Sequence, residues 1–567
     1  MFKKIAMLVL VVVFLCAGIA FGQEVIYERS ETLYISGAAW GPPSTWNPFI
    51  TWAHANTSGT IGLIYETPFQ YDPLTDEMQP WLAKSGEWVS SNVYEMKVRK
   101  GIRWSDGAMF TADDVKFTYE LGKKYAALWH SPIWKWLDEI VKVDDYTLQF
   151  NFTDPLYQEW SNNLYNMAIV PEHLWEGRTE EEITAGANEN PVGSGAYLYE
   201  SHSADRNVYV RNEDWWATEL LGLKPAPKRI VDIRVASNNI ALGMVLKGEL
   251  DLSNNFLPGV DGMVKHGLVQ TYYPEVPYML SANTAILFLN TTISPMDDPA
   301  FRKAVAYAIN VDEIIKVAFA NMVATADPTG LLPALAKYVD QDVVKQLGFS
   351  YDPAKAAAIL ADAGYKDVDG DGFVEAPDGS KIELEVTCPF GWTDWMLAID
   401  VIANSCQAAG INIQDKTPDY GSWNTALTTA TFNMTLNNWA GLSNTPWTLY
   451  NLVFNHPIKD IMGSGNFGKY NNQKIFDLVD QLAATPATDE AGMKAICSKI
   501  QEILLTEMPV IPLWYNGLWA QFPTPVTQVW TSWPSEAADT PNYLPCTWAG
   551  YWQMGGLLTL CELELAQ

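Results

Sequence analysis

The sequence predicts an α/β protein of two or more lobes. Three observations carry this. A chain of 567 residues is too long for one hydrophobic core, and chains of this size divide. Strand-period and helix-period segments alternate through the second half, the pattern of an α/β lobe. No repeat or low-complexity linker parts the halves, so lobes sharing chain crossings can hinge about them. A hydrophobic content of 48% fits a globular chain and excludes general disorder.

The early part reads as strands and turns. Residues 94–98 and 146–150 alternate polar and apolar side chains, the period of a half-buried strand. A helix opens after Thr111, an N-cap whose third following residue, Asp114, completes a capping-box-like pair. Further on, 298–320 reads as an amphipathic helix pair punctuated at Asn310. Residues 353–363 form a helix with Pro at its start. A strand at 382–386, a helix at 395–409, a strand at 411–413 and a helix at 488–505 follow. The tail from Pro512 reads as Trp- and Pro-rich irregular chain.

The N-terminus has Lys3 and Lys4, then an apolar run, then Ala20-Phe21-Gly22. This is the layout of a secretory signal peptide over 1–22, and it places the mature protein outside the cytoplasm. Cys16 lacks the small residues that a lipobox needs before it. The formal net charge is −30; without Lys3 and Lys4, 34 basic residues face 66 acids, giving −32. Such a surface disfavours nucleic acid and a polybasic membrane contact. The remaining five cysteines are widely spaced and suggest neither a disulfide framework nor a zinc site. The six histidines are isolated, which argues against a metal receptor.

Several segments converge on one family. Residues 81–120, WLAKSGEWVSSNVYEMKVRKGIRWSDGAMFTADDVKFTYE, resemble the signature of the family 5 solute-binding proteins of ABC importers. Further landmarks follow in the family's order: Ile169-Val170-Pro171-Glu172-His173, the 190–197 run NPVGSGAY, Gly248-Glu249-Leu250-Asp251, Leu289-Asn290 with Arg302-Lys303-Ala304, and the 508–513 run MPVIPL. The resemblance covers almost the whole mature chain. It implies a type II periplasmic-binding-protein-like fold with residues 23–287 and 508–567 in the first lobe, an extra subdomain over 57–175 within it, and 288–507 in the second lobe. It also implies a non-catalytic, monomeric receptor that closes on a solute and delivers it to membrane permease subunits.

The segment 421–458 contains no Asp, Glu, Lys or Arg, where a chain with 18% charged residues would place about seven. Peptide-binding relatives usually carry an acid just after the tryptophan of this segment, which pairs with the peptide's ammonium group. Here the run is Trp439-Ala440-Gly441-Leu442-Ser443-Asn444, with no carboxylate. Neutral amides, hydroxyls and indoles suit a neutral sugar, whose C–H patches pack on aromatic faces while its hydroxyls meet amides. The chain is similar in particular to the family's gluco- or manno-oligosaccharide receptors. By position, the resemblance makes Trp40, Asn47 and Trp52 of the first loop, Trp392 and Trp395 after a strand, Trp423, Asn438 and Trp439, and Trp514 with Tyr515 the expected ligand contacts. Core packing is the alternative for each of them.

Residues 367–378, DVDGDGFVEAPD, match a calcium-loop pattern with Asp367, Asp369 and Asp371 at alternate positions, the Phe373 carbonyl and Asp378 at the twelfth. A structural Ca²⁺ there is one reading and an ion-free polar turn is the other; no cofactor is required. Two rival functions remain. A secreted glycoside hydrolase would need two carboxylates across a cleft, and the expected cleft segments are poor in acids. An oligopeptide receptor of the same family would need Glu95, Asp394 or Asp419 to replace the missing ammonium partner.

Overall fold

A computed structural model describes residues 27–566, except 39–40, 51–59, 73, 75–76, 440–441, 525–528 and 537–555. The chain enters with β1 (Thr32–Ser36) and then builds a separate antiparallel sheet from β2 (Ala83–Ser90), β3 (Val93–Val98), β4 (Leu137–Asp144) and β5 (Thr147–Phe152), in the order β2-β3-β5-β4. It returns with β6 (Tyr197–Ser203), β7 (Arg206–Arg211), β8 (Arg229–Ile233) and β9 (Leu252–Ser253). These complete a five-stranded sheet around β1, in the order β9-β1-β8-β7-β6.

The other lobe is built on β10 (Ser281–Leu289), β11 (Ala324–Thr325), β12 (Leu384–Thr387), β13 (Ile413–Lys416), β14 (Met434–Asn437) and β15 (Val510–Gly517), in the order β11-β15-β10-β14-β12-β13. The long strands β10 and β15 pair antiparallel at its centre, while β12 runs parallel to both β13 and β14. With the extra sheet, this is the two-lobed type II periplasmic-binding-protein fold. Boundaries at 288 and 508, as expected from the sequence, would assign most of β10 and all of β15 to the first lobe, whereas both strands form the centre of this sheet.

The helices follow from local chemistry. In α1 (Ala112–Lys124), Thr111 Oγ1 accepts from Asp113 N while Asp114 Oδ2 accepts from Thr111 N at 2.9 Å, closing the expected capping box. The helix α2 (Tyr157–Asn166) follows β5, and α3 (Asn238–Leu246) follows β8. The helix pair is α4 (Pro299–Ala308) and α5 (Val311–Phe319); Asn310 breaks it by accepting from Glu313 N at 3.1 Å. Next come α6 (Pro353–Asp362), α7 (Thr393–Ala408), α8 (Tyr420–Thr429) and α9 (Gln473–Ala483), and α10 (Glu490–Glu507) precedes β15.

Two expectations need correction. The strand expected at 411–413 starts at Ile413 instead. The tail does not become irregular at Pro512, because Pro512 lies inside β15 opposite Ile286, where the pairing with β10 shifts register. A shifted ladder tolerates a residue without an N–H.

Much of the tryptophan content is core. Among the described residues, ten buried tryptophans, including Trp46, Trp104, Trp160 and Trp175, belong to the hydrophobic cluster beneath the five- and four-stranded sheets. Three of these indoles converge on one acid. Trp81 and Trp215 donate their Nε1–H to Glu66 Oε1 at 2.9 and 3.1 Å, and Trp216 donates to Oε2 at 2.7 Å. Burial pushes the Glu66 carboxyl up to about 7, against the pull of these donors. The NPVGSGAY run packs beside them: a Cβ at Gly193 would stand 1.9 Å from the Ile64 carbonyl oxygen, so only glycine permits this approach.

Candidate functional site

The site builds outward from the C-terminal ends of β12 and β14, where open α/β sheets bind ligands. β12 ends at Thr387, and the chain turns through Gly391 (φ +91°) into α7. Trp392 sits at this turn, half-buried, with Trp395 behind it at 5.1 Å in an edge contact. Trp423 of α8 stands 6.1 Å from Trp392 and 6.2 Å from Trp439, just past β14. Tyr420 packs 5.6 Å from Trp423, and Phe467 closes the row 5.4 Å from Trp439. Trp423 is fixed because its Nε1–H donates to Thr435 Oγ1 at 2.9 Å while its ring is 1% exposed. Trp392, Trp395, Trp423 and Trp439 therefore form one aromatic row, with Trp392, Trp439 and Tyr420 keeping accessible surface.

Asn438 is half-buried beside the row. Its neighbour Asn437 accepts from Trp439 N at 2.8 Å, and its Nδ2 is buried with no partner. On the central strands, Asn283 of β10 pairs in register with Asn516 of β15. Both are buried, and Asn283 Oδ1 and Nδ2 and Asn516 Oδ1 have no partner. Buried polar atoms without partners are rare and costly. Sequence reading missed this pair, although it left a signal: each asparagine interrupts an otherwise apolar strand face, in line with Ala285 and Leu287 or with Trp514.

The other expected contacts divide. Trp514 is fully buried against Phe319 and Trp395, with its Nε1–H unpartnered. Tyr515 is buried; its hydroxyl donates to the Leu331 carbonyl and accepts from Asp327 N, both at 2.9 Å, and burial pushes it up to about 12. Asn47 donates to the Ile183 and Gly186 carbonyls and accepts from Phe49 N, so its amide serves the protein itself. Trp40 and Trp52 lie outside the described residues.

The charge-free segment has a second use. A cavity is lined by the segment's Ser443, Thr445 and Thr448 together with Thr284, Gly330 and Leu331, among other neutral residues. Past it, the segment meets α2 of the other lobe: Tyr165 Oη donates to Ser443 Oγ at 3.3 Å and Asn444 Nδ2 to Ser161 Oγ at 2.9 Å.

The three acids named for an ammonium partner also divide. Glu95 is a half-buried strand residue that accepts from Gln149 and pairs with Lys97. Asp419 caps α8 through Ser422. Asp394 alone is buried without a cation; burial pushes it up to about 7, partly offset by N–H donors of its own helix start and by Asn238.

The aspartate loop differs from the expected ligand set. Carboxylate oxygens of Asp367, Asp369 and Glu375 lie within 4.8 Å of one another. Glu375 replaces Asp378 because the chain folds back to bridge Lys366 with Glu375, while Asp378 is occupied by Ser380 N and Oγ. Asp371 accepts from Phe373 N. The Lys381 ammonium stands 2.6 Å from Asp369 and 3.3 Å from Asp371, so part of the charge that a calcium ion would neutralise is already balanced. Oxygen donors of the right kind are present, with a resident lysine among them.

The family model "Bacterial extracellular solute-binding proteins, family 5 Middle" matches residues 77–459. The chain belongs to this family. It is accordingly a solute-binding receptor of an ABC importer and not an enzyme. A mannohexaose-bound periplasmic oligopeptide-binding protein of an ABC transporter from Thermotoga maritima is 48% identical, with a TM-score of 0.91, covering 96% of this chain and all of that one. Curated family 5 relatives include a probable peptide-binding protein from Agrobacterium fabrum, 25% identical over 86% of this chain and 85% of its own length. The dipeptide-binding protein of Escherichia coli is 23% identical over 78% and 82%. Among the described residues no helix is long and apolar enough to cross a membrane.

Proposed function

We propose that this receptor binds a neutral gluco- or manno-oligosaccharide between its lobes and hands it to the membrane subunits of its importer. In this reading it acts as a monomer outside the cytoplasm after loss of residues 1–22. The observation that carries the proposal is the aromatic row Trp392–Trp423–Trp439, set against a segment without a fixed charge and near buried amides that lack partners. Indole faces pack on the C–H patches of a pyranose, and unpartnered amides supply the donors and acceptors that its hydroxyls require. The mannohexaose held by the Thermotoga protein supports the same class.

A peptide is the second reading. It is favoured by the names of the curated relatives and by Asp394, a buried carboxylate without a cation that could meet an ammonium group. Titration of tryptophan fluorescence with di- to hexasaccharides of mannose and glucose, and in parallel with di- to pentapeptides, separates the two. Saturable quenching or a spectral shift with a sugar is expected; a response to peptides alone refutes the proposal.

A further inference from the structure

Asp394 has a partner that its own lobe does not supply. β8 ends at Ile233 and leads into α3, whose first residue is Asn238; β12 ends at Thr387 and leads into α7, whose second residue is Asp394. Both helices start where strands of parallel pairs end, and the two starts face each other from different lobes. Asn238 Nδ2 donates to Asp394 Oδ1 at 3.1 Å and to Thr393 Oγ1 at 3.2 Å. Its backbone N–H donates to the Gly391 carbonyl at 3.4 Å. Asn238 is 6% and Asp394 4% exposed. The fit is tight, because a Cβ on Gly391 would stand 2.7 Å from the Ala236 carbonyl oxygen. The carboxylate lies between the positive ends of two helices, which explains how it is held without a lysine or arginine.

We infer that Asn238 and Asp394 form a latch across the lobe boundary that closes over the ligand and holds the turn 389–393, with Trp392, in its binding position. Asp394 is thus a positioning residue that touches the other lobe, and its oxygen is engaged by a neutral amide. The inference rests on the reading that the ligand lies against Trp392; it also assigns Asp394 a role other than gripping an ammonium group. A contact made only when the lobes meet slows ligand release more than it speeds capture.

The test uses the full mature chain with Asn238→Ala, Asp394→Ala, Asp394→Asn and the Asn238→Ala/Asp394→Ala pair. Mannohexaose and trialanine are the probes, with stopped-flow fluorescence for rates. Hydrogen exchange of amides 389–396 is followed with each probe at saturating concentration. Each alanine variant is expected to release mannohexaose at least about tenfold faster, the loss of a hydrogen bond to a charged group, and Asn238→Ala loses the Thr393 contact as well. The double variant should be no faster than Asn238→Ala alone, which already removes the contacts to both Asp394 and Thr393. Asp394→Asn, whose Oδ1 still accepts, should stay near wild type in release and exchange, whereas the alanine variants exchange faster at 389–396. Multiplying effects in the double variant, or an Asp394→Asn variant as impaired as Asp394→Ala in exchange, overturns the latch. If wild type binds trialanine and no sugar, the oligosaccharide reading fails while the exchange result still decides the latch.

Discussion

Glu66 is the staple between the extra subdomain and the five-stranded sheet, and its removal has a calculable cost. Trp81 stands two residues before β2, and Trp215 and Trp216 follow β7; all three indoles are at most 3% exposed and all three N–H groups end on the Glu66 carboxylate. Glu66→Ala leaves three buried donors without an acceptor, at about 1–3 kcal/mol each. Relief from burying a carboxylate returns part of this, for a net loss on the order of 4 kcal/mol. Glu66→Gln keeps one accepting oxygen but turns an NH₂ group toward one indole N–H. Donor then faces donor, and a loss of roughly 2 kcal/mol is expected. Urea unfolding followed by tryptophan fluorescence and circular dichroism reads both. An alanine variant within about 1 kcal/mol of wild type would show that the three indoles have other acceptors and refute the reasoning.

Other outcomes follow from the same structure. Trp392→Ala and Trp439→Ala should each weaken oligosaccharide binding at least about tenfold with little change in melting temperature. Trp423→Ala should also destabilise the fold by about 3–5 kcal/mol, because its ring is core; isothermal titration and thermal melts distinguish the cases. Asn283→Ala should raise ligand-free stability by about 1 kcal/mol or more, by removing buried atoms without partners, while lowering sugar affinity; unchanged affinity would detach this pair from the site. Asp232 is fully buried and pushed up to about 7 by burial. Its folded-state pKa is raised, so the folded chain holds that proton more tightly than the unfolded chain. Its contribution is full below the unfolded value near 4, falls as pH rises through the window to about 7, and is flat above it. Asp232→Asn should therefore gain stability over wild type at pH 8 and lose most of that advantage at pH 4; melts across that range check it.

The sequence made the periodic elements legible. The capping box at Thr111, the break at Asn310 and the strands at 93–98 and 147–152 are local features, set by neighbours a few residues away, and they form as their patterns indicate. β15 was not legible: Pro512 reads as a breaker until a register shift against Ile286, far off in the chain, makes room for it. Of the expected site residues, the four tryptophans 392, 395, 423 and 439 meet in one row, whereas Asn47 and Tyr515 turn out to serve the scaffold. Burial and hydrogen-bond partners are properties of distant chain segments, and residue type alone does not report them.

By itself the sequence determined the fold class, the family and the neutrality of the segment from 421 to 458, because composition, period and motif order are one-dimensional quantities. Only the tertiary structure decided which tryptophans are core and which keep accessible surface, that Glu375 rather than Asp378 joins the aspartate loop, and that the buried Asp394 is held by Asn238 from the other lobe. Each of those depends on which atoms long loops bring within about 3 Å of one another, and chain order does not carry that distance.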